Sequence, residues 1–146
     1  MSNEKTAKVV WSGEDLQFSG TLGSGYQFDL NSNASEAGGS PMEFLLAGVV
    51  GCTAMDVISI LQKMRQNVHE FAVEISGERA EQHPKVYTEV TITFIVRGES
   101  INEENVARAI ELSETIYCSA SQMFHRAGTK INTSYRIEDT AVSQSS

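Results

Sequence analysis

Cys52 and Cys118 are the only cysteines in this 146-residue chain, and an ionised thiol is the strongest nucleophile among unmodified side chains. Two thiols permit a two-step chemistry. One attacks an oxidant and becomes a sulfenic acid, and the other condenses with it to a disulfide. Their separation of 66 residues neither favours nor opposes this, because the fold alone brings distant cysteines together. The plain alternative is that each fills a core as a small hydrophobe, as most buried cysteines do. Cys52 lies in the apolar run PMEFLLAGVVGCTAMDVISILQKMR, and Cys118 lies in AIELSETIYCSASQMF.

Few other groups could assist. Glu43, nine residues before Cys52, is a candidate functional carboxylate, with helix capping as its competing role. Asp56 is four residues after Cys52 and shares its helix face, where a carboxylate repels a thiolate. His83, before Pro84, and His125, seven residues after Cys118, are candidate proton-transfer groups or ordinary surface histidines. Arg126 is the arginine nearest a cysteine in sequence. Two cysteines supply too few ligands for a metal, and His69, His83 and His125 show no CxxC, HxxxH or HExxH spacing, so no metal and no cofactor are expected. The GSG at 23–25 lacks the surrounding pattern of a phosphate loop.

These residues need a scaffold, and composition bounds it. The length suits one domain with one core, so residues 1–146 are read as a single domain with a loose tail over about 139–146. Eleven basic against nineteen acidic residues give a net charge of −8, which disfavours nucleic acid and anionic membranes. The N-terminus does not read as a signal peptide, and the apolar segment Phe44 to Met55 is too short to span a bilayer. A cytoplasmic location follows as the expectation, with both cysteines resting as thiols.

Alternation with glycine punctuation predicts short strands at about 7–12, 15–20 and 25–30, then a polar loop over 31–41. Ser40, Pro41 and Glu43 form a helix-start signature, and a helix follows over 42–64. It is apolar nearly all round up to Leu61, more than a chain this small can wrap. Gly48 and Gly51 cost helix propensity and make best sense where another backbone comes close. An obligate homodimer built on this helix is therefore expected.

Two strands follow, 71–81 and 83–98, the second with Val86, Thr88, Val90, Ile92, Phe94 and Val96 on one face. An amphipathic helix over 101–121 is capped by Asn102 and closed near Cys118; a short helix over 120–128 and a strand over 129–138 finish the chain. The fold class is α+β with a mainly antiparallel sheet, not doubly wound.

The segment from Pro41 to Arg65, then HPKVYTEVTITFIVRG, then the E-x-S-x-x-x-Y-C-S pattern ending at Ser119, resembles the OsmC/Ohr family, from about Val9 to Ile137. The resemblance implies an intertwined homodimer with long cysteine-bearing helices at its centre and active sites at the subunit interface. It implies reduction of organic hydroperoxides with Cys52 attacking and Cys118 resolving, and a dithiol such as a protein-bound lipoyl group as reductant. A non-enzymatic protein binding a small apolar or sulfur-containing ligand on the same scaffold is the alternative. Two departures stand out. The best-known peroxidases pair an N-terminal arginine with the reactive thiolate, but no arginine precedes Arg65 here; Arg126, Lys85 or a partner's basic group are the candidates to replace it. The glutamate that holds that arginine directly follows the proline, where this chain has Met42, with Glu43 one further on. A slower reaction with peroxide is expected from both.

Overall fold

In a computed structural model of the chain, residues 3–32 and 38–140 are described. The loop expected over 31–41 lies outside them at 33–37, as does the expected tail from 141 onward. Contacts gather the chain into two compact units, Met1–Leu45 and Leu46–Ser146.

The first unit is an antiparallel three-stranded sheet in the order β1 (Ala7–Trp11), β2 (Gln17–Leu22), β3 (Gln27–Asn31). Trp11 pairs with Phe18, and Gly20 with Phe28. The Phe28 ring fills the space where a Gly20 side chain would stand, so close approach dictates glycine there. The second and third strands sit one or two residues later than expected, because the turns take up the glycines and the flanking residues.

The long helix α1 (Pro41–Lys63) starts at the end of this unit. Its capping box forms as predicted. Ser40 donates to Glu43 Oε1 from both its N–H and its hydroxyl at 3.0 Å, and the Glu43 N–H returns a bond to Ser40 Oγ at 3.4 Å.

The second unit contains the rest of α1 and a mixed sheet of β4 (Asn67–Arg79), β5 (Tyr87–Glu99) and β6 (Lys130–Asp139). β4 and β5 form the expected antiparallel hairpin, but β6 joins β5 in parallel. The alternation along β5 places Val90, Ile92, Phe94 and Val96 in the core. Val86 is exposed and Tyr87 buried, against the expected face. The register shift between Glu78 and Arg79 explains this: Glu89 and Tyr87 take adjacent partners, so a bulge flips the pattern. Val49, Val57 and Leu61 of α1 complete the core with Val106, Ala109 and Ile110 of α2 (Glu103–Leu112).

The helix predicted over 101–121 is not continuous. Asn102 caps α2 as expected, its Oδ1 accepting from the Asn105 N–H at 3.2 Å. After Leu112 the chain widens into a π-helical turn, Ser113–Tyr117, closed by the Cys118 N–H donating to Ser113 O at 2.8 Å. Cys118 itself is extended, and α3 (Ser119–Arg126) begins after it. Cys118 therefore starts a helix as well as ending one.

The 23 residues of α1 are long and apolar enough to cross a bilayer by length and composition alone. The apolar run counted from sequence stops at Asp56, whereas the helix continues for seven residues more. Much of its surface is uncovered, with Met55 74% exposed.

Candidate active site

The regular helix lets α1 present Cys52, Thr53 and Asp56 together, since positions four apart share a face. Against them packs the junction of α2 and α3, carrying Ser113, Glu114, Cys118 and Ser121. The sulfur atoms of Cys52 and Cys118 and a carboxylate oxygen of Asp56 all lie within 4.8 Å of one another. The two thiols are free. They differ in access: Cys52 is half-buried, and Cys118 has no exposed surface.

The break at Cys118 explains its placement. As the N-terminal cap of α3, its sulfur accepts from the Ser121 N–H at 3.4 Å. Had α2 run on unbroken, no backbone donor would remain free for it. Burial pushes the Cys118 thiol above its ordinary pKa; the bonds from Ser121 work against this, and the neighbouring Cys52 adds to it.

A chain of hydroxyls surrounds the thiols. Ser113 Oγ donates to Asp56 Oδ2 at 3.3 Å and lies 2.9 Å from Thr53 Oγ1. Thr53 donates to Glu114 Oε1 at 3.3 Å, and Ser121 Oγ donates to the same oxygen at 3.2 Å. Burial raises the Glu114 pKa, more than the bonds from Ser121 and Thr53 lower it.

The sign of the resulting pH dependence is fixed. A carboxyl whose folded pKa is raised contributes fully below its unfolded value, about 4.3, and loses that contribution as pH rises through the folded value. Glu114→Gln keeps the acceptor and supplies permanent donors. In urea titrations from pH 4 upward (a pH chosen near the unfolded value of about 4.3), wild type should lose stability relative to E114Q as pH rises. A constant difference between the two would remove Glu114 as the titrating member.

Not all expected residues converge here. The Glu43 carboxylate is engaged by Ser40, whose backbone and hydroxyl bonds lower its pKa. His125 sits in the last turn of α3, where its charge is a minor influence lowering the Glu114 pKa. His83 is exposed. Arg126 shares a pocket of about 340 Å³ with Cys118, Ile116, Tyr117 and Met123. Thr53, Glu114 and Ser121 escaped the sequence reading. The available signal was Thr53, a hydroxyl beside the cysteine on a helix otherwise apolar at that point.

Residues 33–134 match the family of OsmC-like proteins. The chain is 40% identical over 131 residues to Protein YhfA of Escherichia coli strain K12, spanning 90% of this chain and 96% of that one. A hypothetical protein from Aquifex aeolicus VF5, known by crystal structure, is 28% identical with a TM-score of 0.83, covering 94% and 98% of the two chains. An organic hydroperoxide resistance protein OsmC from Legionella pneumophila is 12% identical with a TM-score of 0.66, over 90% and 96%, a likeness of fold.

Proposed function

This chain belongs to the OsmC/Ohr family, and from that premise we propose that it reduces organic hydroperoxides by thiol chemistry, with Cys52 attacking and Cys118 resolving. The observation that carries this reading is the approach of the two sulfurs to within 4.8 Å, from elements far apart in sequence. The Cys52 thiolate attacks the distal peroxide oxygen, the O–O bond breaks, and the alkoxide leaves as the alcohol after taking a proton. Cys52 is then a sulfenic acid. The Cys118 sulfur displaces its hydroxyl, a disulfide forms, and the hydroxyl leaves with the Cys118 proton as water. An external dithiol reduces the disulfide by exchange and is itself oxidised to a disulfide.

Access supports this order. Cys52 is the partly buried thiol with some surface open, while Cys118 is enclosed with its pKa raised by burial. Ile116, Tyr117 and Met123, all exposed, form an apolar wall beside Cys118, suited to the organic part of a hydroperoxide. Glu43 contributes by holding the first turn of the helix that carries Cys52. The chain works as a homodimer in this reading, with the uncovered surface of α1 against its mate.

A coupled assay with a dithiol reductant and cumene hydroperoxide tests the proposal. Turnover is expected in wild type and absent in C52A. No turnover in wild type would reject the enzyme and leave the scaffold as a binder of small apolar or sulfur-containing ligands.

A further inference from the structure

The sequence shows two cysteines and no metal-ligand spacing, yet the fold adds a third donor. Asp56 comes from the same face of α1 as Cys52, and Cys118 arrives from the α2–α3 junction, so two sulfurs and a carboxylate oxygen converge within 4.8 Å. We propose that in the reduced protein Cys52, Asp56 and Cys118 bind one zinc ion, with the fourth coordination position left to water.

The donor chemistry selects the ion. Thiolates are soft and favour zinc over magnesium, calcium or manganese, and a Cys₂Asp set suits a tetrahedral site with one open position. Zinc–sulfur bonds of about 2.3 Å in a tetrahedron put two sulfurs about 3.8 Å apart. Three donors already within 4.8 Å need to close by about 1 Å, which side-chain rotation provides. The carboxylate is also oriented from behind. Ser113 Oγ bonds Asp56 Oδ2 and is in turn held against Thr53, the arrangement that fixes a metal-binding carboxylate.

Charge points the same way. Among the described residues no lysine, arginine or histidine forms an ion pair with Asp56. Binding balances as follows: one Zn²⁺ replaces the protons of two thiols, both protons pass to the buffer, and the carboxylate completes a site of net charge −1. On its carboxylate side the cluster meets an open pocket of about 350 Å³ that Asp56 lines with Ser59, Lys63 and Tyr117.

Metal and disulfide use the same two sulfurs, so they exclude each other. Oxidation of Cys52 and Cys118 to the disulfide removes both thiolate ligands. Zinc occupancy in turn withholds both thiols from peroxide. The site is thus a redox-gated zinc site, and its existence does not depend on peroxide turnover.

The test uses the full-length, reduced protein titrated anaerobically with Co²⁺, then with Zn²⁺. Expected are a near-ultraviolet sulfur-to-cobalt charge-transfer band and visible bands of tetrahedral intensity, saturating at one ion per chain and bleached by Zn²⁺. Both sets should be lost in C52S, in C118S and in the protein oxidised to the disulfide. D56N, with circular dichroism confirming its fold, should weaken zinc at least about 10-fold in competition with a chromophoric chelator, while H83N should bind as wild type does. Absence of the charge-transfer band in reduced wild type would overturn the proposal. So would an undiminished band in the cysteine variants, or unchanged zinc affinity in D56N. Because binding is read without peroxide, a failed peroxidase assay and a failed metal titration remain separate results.

Discussion

One equivalent of organic hydroperoxide should remove two hydrogens from the wild-type chain, add one oxygen to C118S and leave C52S unchanged on the same timescale. Intact-mass spectrometry reads all three. In wild type the sulfenic acid on Cys52 meets Cys118 within 4.8 Å and condenses to a disulfide. In C118S it has no resolving thiol, so the added oxygen persists, and excess peroxide drives it further up the oxidation ladder. The C118S fold should survive, because position 118 is the cap of α3 and serine is a favoured cap. In C52S the remaining Cys118 is buried, and that burial raises its pKa, so little thiolate faces the oxidant. A serine hydroxyl at 52 is too weak a nucleophile to substitute. If C52S takes up oxygen at the wild-type rate while C118S does not, the roles of the two cysteines are reversed.

Sedimentation equilibrium at low micromolar concentration should return twice the 16.0 kDa chain mass, and Gly48→Leu should abolish that dimer. In the lone chain a side chain at Gly48 or Gly51 meets nothing within 4 Å. Replacing a helical glycine there gains about 1 kcal/mol of helix propensity. A chain that works alone would therefore be stabilised by G48L. If a second backbone lies against this face, the leucine overpacks the interface and costs about 1–3 kcal/mol per protomer instead. The sign of the stability change decides. A bilayer is the other cover by length and composition, but Asp56 near the middle of α1 would cost about 2.5–3.5 kcal/mol at the bilayer centre. A detergent-free preparation that sediments as a stable folded monomer, with G48L more stable than wild type, would defeat the dimer.

Local chemistry was legible along the chain. The capping box of Ser40 and Glu43 and the Asn102 cap involve partners only three residues apart. The inward face of β5 from Val90 onward follows from a period of two, and α1 ends within a residue of its expected bounds. The same local reading placed Cys52 and Asp56 on one helix face.

What decided the site lies beyond such periods. Periodicity closes helix 101–121 near Cys118 but gives no sign of the widened turn before it, since nothing in ELSETIYCSAS breaks a helix as proline would. Only packing at the α2–α3 junction shows why the turn widens: Ser113 is buried between Thr53 and Asp56 of α1, and Ser121 reaches Glu114. The parallel entry of β6 and the bulge that turns Tyr87 inward are likewise choices of partner, which a strand pattern alone does not encode. Sequence determined that there are two thiols and which helix bears the first. Tertiary structure decided that they meet, that one is enclosed and the other only half-buried, and that Asp56 stands beside both, because distances between residues tens of positions apart are set by packing and not by the local chain.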